Sequence, residues 1–261
     1  MATTEKELTL KATAAEAPRL DTQAAEAPSR VISVTAQSLG AEPQTEVPAG
    51  AEEWRQAAER ALMAKVEAYV ADMDARHRAG EDKQALGEPT VGTYVALDVL
   101  AYSPIQQITF PPYEPSRIIA GGEDAVIYAL VFINPAVDVG QGFAIPATVQ
   151  LGGRTLRVRL EQVNLSDLAN GPDQTVVLNL PAPAPSLIWV PFQFTAADPG
   201  ANPDLFEANV TVDIADPVQP YAAFATHHVS VDADPGFLGI PPQPGWQLLH
   251  NIPMRYLVYR Q

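Results

Sequence analysis

The sequence predicts a mainly β protein with one long helix ahead of the strands, and three observations point to this class. Nine short apolar segments, each long enough for a strand, follow one another from residue 94 to the end of the chain. Clusters of Gly, Pro, Asn and Asp separate these segments, and no helical periodicity lies between them. The 25 prolines favour turns and edge strands over long helices. This pattern predicts an immunoglobulin-like antiparallel β-sandwich over residues 92–261.

Residues 1–47 read as a disordered tail that is rich in Ala, Pro and Glu. The tail contains no aromatic residues, so it buries too little apolar surface to offset the entropy of the chain. The motif AAEAP occurs at 14–18 and again at 24–28, either as low-complexity sequence or as a spaced docking motif. One apolar segment, RVISVTAQSL at 30–39, is expected to form a strand or a short partner-binding peptide.

Residues 48–80 are predicted to form an amphipathic helix. No Pro or Gly occurs from Ala51 to Ala79, and Gly80 stands where a C-cap is expected. Apolar side chains recur every three or four residues and form one stripe, namely Trp54, Ala58, Leu62, Val66, Tyr69 and Met73. Two interpretations stay open, since the stripe packs either on the β-domain or on a protein partner, such as a second copy in a homo-oligomer.

Residues 81–91 are expected to be a linker between independent units. Every lysine of the chain precedes residue 84, so the composition changes near residue 90. Gly87 and Pro89 disfavour continuation of the helix. This hinge-like segment favours a helix that attaches the protein to a partner, with Trp54, Leu62 and Tyr69 as contact residues.

Turn residues divide the β-domain into candidate strands, which are 94–102, 124–135, 144–151, 154–165, 175–180, 186–194, 206–215, 221–233 and 254–261. The clearest alternation places Leu156, Val158 and Leu160 on the inner face. LGGR at 151–154 predicts a hairpin. Pro191 predicts that its strand lies at a sheet edge or contains a bulge.

The composition excludes several classes of function. The net charge is −15, from 16 Lys and Arg against 31 Asp and Glu, so we expect no binding to nucleic acid. The chain has no cysteine, which excludes disulfides and thiolate metal sites. It shows no secretory signal and no membrane-spanning apolar segment, so we expect a cytoplasmic protein without membrane insertion. No cofactor is expected.

The segment FATHHVSVDAD at 224–234 is the one most suggestive of chemistry. On a regular strand, His227 and His228 point to opposite faces and cannot both bind one ion. His228, Asp232 and Asp234 share a face and are the best candidates for a metal site, but a solvated outer sheet face explains them more simply. No nucleophile and base stand in a suitable arrangement, so we expect neither catalytic residues nor an enzyme.

Two features of the β-domain are candidates for binding a partner. Arg154, Arg157 and Arg159 form a basic cluster that either contacts an acidic partner or pairs with neighbouring acids such as Glu161. The loops ITFPPYEPSR (108–117) and GIPPQPGW (239–246) combine proline with aromatic residues, as many interfaces do. Their candidate contact residues are Tyr113 and Trp246.

These features favour a non-enzymatic structural or adaptor protein. In this interpretation the β-sandwich docks into a larger protein assembly, and the tail and helix are additional attachment elements. One alternative is a ligand-binding sandwich that takes carbohydrate or calcium through loop aromatics and carboxylates. The other alternative is a hydrolase whose site does not stand out in the sequence.

Overall fold

A computed structural model describes residues 31–33, 47–79, 95–138, 144–215, 221–228 and 253–261. The helices in these ranges are α1 (Ala49–Ala79) and the single turn α2 (Ala147–Gln150). The strands, in chain order, are β1 (Val31–Ser33), β2 (Leu97–Tyr102), β3 (Ile118–Ala120), β4 (Asp124–Ile133), β5 (Thr155–Asn164), β6 (Ala169–Asn170), β7 (Gln174–Asn179), β8 (Leu187–Thr195), β9 (Asp204–Ile214), β10 (Ala222–Phe224), β11 (Thr226–His228) and β12 (Met254–Tyr259). The predicted class, mainly β with one long helix, is confirmed.

The strands form two sheets. The five-stranded sheet has the order β1-β8-β4-β2-β11, and the seven-stranded sheet has the order β3-β12-β9-β5-β6, with β7 and β10 pairing with β5 and β9. Their long pairs, β4 with β8 and β5 with β9, are antiparallel, as predicted. Three strands of three residues each, β1, β3 and β11, run parallel to their neighbours at the ends of the sheets. The sequence did not predict these parallel pairs.

One core lies between the two sheets. Leu156, Val158 and Leu160 on β5 are fully buried, as their alternation predicts. They belong to the same apolar cluster as the inward-facing residues of the five-stranded sheet, which include Ile127 and Val190. Each sheet therefore contributes one apolar face to a shared interior.

The opposite face of the five-stranded sheet is covered by α1. Ala58, Leu62 and Val66 are buried in a second apolar cluster, together with Tyr128 and Trp189 of the sheet. The helix stripe therefore packs on the chain's own sheet, which is the first of the two interpretations that the sequence leaves open. The sequence favoured the second interpretation, in which the stripe binds a partner, whereas in the structure the stripe contacts the five-stranded sheet.

A buried arginine accompanies this apolar stripe. Arg55 is 6 % exposed, and its guanidinium lies 5.8 Å from the ring centre of Trp189. Its Nε donates to Glu52 Oε2 at 2.9 Å, and its NH1 forms an ion pair with Glu59 one turn later. The two carboxylates balance the buried charge, so a cation fits within the helix–sheet contact.

Two strand predictions are wrong in detail. The segment 144–151 contains the helical turn α2, because the amides of Val149 and Gln150 both donate to Pro146 O. A proline suits this position, since it lacks the N–H that a helix start leaves unpaired. LGGR therefore follows a helical turn and is not the loop of a hairpin. Gly153 has a φ of 76°, the left-handed region that glycine adopts most easily.

The predicted strand 221–233 is divided between the two sheets. β10 pairs with β9 in the seven-stranded sheet, and β11 pairs with β2 in the five-stranded sheet. The chain crosses from one sheet to the other at Ala225, whose amide donates to Val210 O at 2.8 Å. Residues 229–233 of the prediction lie outside the described ranges, as do the predicted linker 81–91 and all of the predicted tail except β1 and Val47.

Neither helix in the described ranges has the length and hydropathy that crossing a bilayer requires.

Candidate functional site

The three helix residues predicted to bind a partner contact the chain's own sheet. Leu62 is 2 % exposed. The ring of Trp54 lies 4.9 Å from that of Tyr102 in an edge-on arrangement. The hydroxyl of Tyr69 accepts a hydrogen bond from Asn134 Nδ2 at 3.0 Å. These contacts fix α1 on the sheet, so much of the apolar surface of the three residues is used within the chain.

The arginine cluster lies on the outer face of the seven-stranded sheet, as its alternation predicts. Arg157 makes two bonds to Asp213 on β9, from Nε to Oδ1 at 2.8 Å and from NH2 to Oδ2 at 2.6 Å. Arg159 lies in register between Thr211 and Thr175 of the adjacent strands. Arg154 immediately precedes β5. Because Arg157 already has a bidentate carboxylate partner, the cluster is a weak candidate for an acidic ligand.

The metal candidates lie mostly outside the described residues. His228 ends β11, and Asp232 and Asp234 follow beyond the described range, as does Trp246 of the second proline–aromatic loop. Among the residues that the structure describes, no group of three or more His, Asp or Glu side chains is arranged to hold a metal ion.

A buried glutamine fixes the base of the first proline–aromatic loop. Gln106 is 1 % exposed, and its Oε1 accepts a hydrogen bond from Ala120 N at 2.8 Å. Its Nε2 donates to Ala120 O at 3.0 Å and to Glu123 O at 3.3 Å. One amide side chain therefore ties the start of the loop to the end of β3 and to the residue before β4.

Further hydrogen bonds hold the loop in one shape. Tyr113 N donates to Gln106 O at 2.9 Å, and Ser116 N donates to Pro104 O at 2.9 Å. The hydroxyl of Thr109 lies 3.0 Å from Gln106 O and 2.9 Å from Pro111 O. These contacts define the backbone on both sides of Phe110, the residue between Thr109 and Pro111.

Tyr113 and Phe110 have opposite environments within this loop. The Tyr113 ring packs against the start of α1, where it occupies the space that a Cβ at Gly50 would need. Tyr113, predicted as a partner contact, thus joins the loop to the helix. Phe110 is 102 % exposed, and Ile108 beside it is 38 % exposed. Sequence reasoning selected the loop but not Phe110, because a loop has no periodicity that shows which aromatic residue faces outwards.

The free edge of β3, beside this loop, is closed by side chains. Ile118 N donates to Ser116 Oγ at 3.1 Å, and Ser116 Oγ donates to Ile118 O at 2.8 Å. The amide group of Gln106 bonds both backbone groups of Ala120. Bonds of this kind block the addition of a further strand. The Phe110 side chain is therefore accessible to a partner, whereas the edge of β3 is not.

Comparisons with known proteins identify no family. No family model matches the chain, and no curated protein matches it. Among solved structures, the CARDB domain of a Pyrococcus furiosus protein, in complex with di-metal ions, covers 67 % of this chain and 100 % of that domain, with 10 % identity and a TM-score of 0.28. The Pseudomonas fluorescens alkylpurine DNA glycosylase AlkC, bound to DNA with an abasic site analog, covers 66 % of this chain and 38 % of the glycosylase, with 10 % identity and a TM-score of 0.24. Scores this low carry no argument about function.

Proposed function

We propose that this chain is a non-enzymatic structural or adaptor protein that docks into a larger protein assembly through the loop that carries Phe110. The observation that carries the proposal is a fully exposed phenylalanine on a loop whose backbone is held by hydrogen bonds. Moving such a ring from water into a protein interface yields about 1.5–3 kcal/mol. Because the loop is already ordered, little of that free energy is lost in fixing its conformation.

The architecture that we propose for the docking unit is an immunoglobulin-like β-sandwich. Two sheets that share one apolar core support this interpretation. In such sandwiches the loops between strands gather at the ends, where they are free to contact partners. The loop between β2 and β3 has this character, whereas α1 stabilises the sandwich by covering its second face.

Substitution of Phe110 by alanine tests the proposal. Full-length wild type and the Phe110→Ala variant are used as baits in native lysate, and captured proteins are compared by quantitative mass spectrometry. We expect the variant to lose a protein that the wild type captures. When that protein is purified, its affinity for the variant should be at least tenfold lower than for the wild type, the equivalent of about 1.4 kcal/mol.

Phe224 supplies a matched control, since it is also a phenylalanine and is 75 % exposed, but lies on β10. The Phe224→Ala variant is expected to keep the partner. Equal capture by all three baits contradicts the proposal. Calorimetric binding of Ca²⁺ or a carbohydrate would instead support the ligand-binding alternative.

A further inference from the structure

The outer edge of β8 forms a second surface, distinct from the Phe110 loop. β8 pairs with β4 along one edge, and along the other edge it carries β1. The β1 pairing is parallel and covers three residues, with Val31 opposite Leu187, Ile32 opposite Ile188 and Ser33 opposite Trp189. This edge therefore accepts a strand that comes from far away in the sequence.

The hydrogen bonds of β8 show which of its backbone groups are available to that strand. Ile133 N donates to Ser186 O, and Ala196 N donates to Glu123 O, so even-numbered residues bond to β4. Successive residues of a strand direct their N–H and C=O groups to opposite edges. Leu187 and Trp189 therefore direct theirs to β1. In this register Ile32 lies opposite Ile188, so its backbone N–H and C=O groups face the backbone groups of Leu187 and Trp189.

On its C-terminal side the accepting stretch is bounded by two residues that cannot extend the pairing. Pro191 is the next residue whose backbone faces the edge, and it has no N–H to donate. Beyond it, Gln193 O already accepts a bond from Gln174 Nε2 at 2.7 Å. The observed pairing covers Leu187–Trp189 and does not extend beyond Trp189. These three residues are at most 1 % exposed. A vacant edge would leave unpaired backbone groups beside a buried apolar strand.

We propose that this edge binds residues Val31–Ser33 of a second copy as well as those of its own chain, so that copies associate by exchanging β1. Residues 34–46 connect β1 to Val47. A chain of that length spans up to about 45 Å, so the covalent connection does not restrict β1 to its own β8. The exchanged strand makes the same backbone bonds as the original, so no contact is lost on exchange.

The concentration dependence follows from the length of the connection, because the same contact forms before and after the exchange. A covalent connection of this length gives an effective concentration in the millimolar range. The chain's own strand therefore occupies the edge in dilute solution, and a second copy competes once the local protein concentration approaches about 1 mM, as within an assembly.

Sedimentation of the full-length chain from about 10 µM to 1 mM tests the exchange. We expect wild type to be monomeric at the low end and partly dimeric at the high end. Ile32→Pro removes the N–H that faces β8 and is expected to abolish the dimer. Ser33→Pro is the matched control, because the N–H of Ser33 points away from β8. Wild type that stays monomeric at 1 mM, or an Ile32→Pro variant that dimerises equally, overturns the proposal.

A peptide tests the accepting edge directly. The full-length Ile32→Pro variant is titrated with a fluorescent peptide of sequence PSRVISVTAQ, residues 28–37, and with the same peptide N-methylated at the isoleucine. Binding of the unmethylated peptide alone supports the proposal, whereas equal binding or no binding overturns it. Peptide binding without association of wild-type copies would assign the edge to another protein's strand and also overturn it. Phe110→Ala should change none of these results, so failure here leaves the docking proposal intact.

Discussion

The two sheets differ in how many of their faces are covered. In the five-stranded sheet, nine consecutive residues of β4, Ala125–Ile133, are buried, because the core lies on one face and α1 on the other. In the seven-stranded sheet, β5 alternates between buried and accessible side chains from Leu156 to Asn164. The burial pattern along a strand thus shows whether one or both faces of its sheet are covered, although β4 and β5 both lie in antiparallel pairs.

The largest effect is expected from breaking the helix–sheet contact. Leu62→Asp places a carboxylate in the apolar cluster between α1 and the five-stranded sheet, and we expect the free energy of unfolding to fall by about 4 kcal/mol or more. Urea unfolding followed by circular dichroism measures the loss. Ala64→Asp, on the exposed side of the same helix, is the control and should change stability little. Similar losses for both variants would show that α1 does not rest on the sheet.

The contact between α1 and the five-stranded sheet could have been predicted from the sequence. The segments AVIYALVFI and LIWVPF are continuously apolar, whereas RTLRVRLEQV alternates. A continuous apolar strand in an antiparallel sheet needs cover on both faces, and the stripe of Trp54, Leu62 and Val66 provides a matching surface. The helix stripe taken with the charge change near residue 90 favours attachment to a partner, whereas the stripe taken with the continuously apolar strands favours packing on the sheet, which the structure shows.

Other features were not accessible from sequence patterns. The alternation of β5 and the turn clusters predicted most long strands, because those signals are local. β3 was missed because it has three residues, and its outward backbone groups are bonded by Ser116 and Gln106. The exposure of Phe110 depends on hydrogen bonds within its loop, which no periodicity reveals. The proposed docking residue is therefore apparent only from the three-dimensional structure.

The second prediction compares two phenylalanines, one in each sheet. Phe132 on β4 is fully buried under α1, and Phe132→Ala is expected to lower the free energy of unfolding by about 3–5 kcal/mol. Phe224→Ala on β10 should lower it by less than about 0.5 kcal/mol, because that ring already faces solvent. Chemical denaturation of both variants measures the difference. Equal losses would mean that the faces of the two sheets are covered alike.

The third prediction uses a carboxyl group on the helix-facing side of β2. Burial raises the pKa of Asp98 from 3.8 to about 6, and a hydrogen bond from Val99 N at 2.8 Å offsets only part of the rise. Between about pH 4 and 6 the folded state therefore holds a proton that the unfolded state has released. The contribution of Asp98 to stability is largest at low pH and falls as the pH rises through this window, by on the order of 2–3 kcal/mol.

Asp98→Asn isolates this contribution, since asparagine has the same size and does not titrate. Urea unfolding of wild type and variant at intervals from pH 4 to pH 7 gives the difference in stability at each pH. We expect the variant to gain relative to wild type as the pH rises. If the difference in unfolding free energy between wild type and variant does not change between pH 4 and pH 7, or changes in the opposite direction, the raised pKa is contradicted and the Asp98 carboxyl is more hydrated than the structure indicates.

The smallest effect is expected from Val→Thr substitutions. They compare the two sheets most directly, because they leave the side-chain volume almost unchanged. Val126 on β4 faces α1 and is fully buried, whereas Val177 on β7 is 53 % exposed. Val→Thr replaces a methyl by a hydroxyl, which in the buried position loses its bonds to water and costs about 1–2 kcal/mol. At Val177 the hydroxyl stays hydrated, so stability should change by less than about 0.5 kcal/mol. Precise thermal unfolding of both variants measures this contrast. If Val126→Thr is as well tolerated as Val177→Thr, water reaches the helix side of β4, and the covered face that distinguishes the five-stranded sheet is absent in solution.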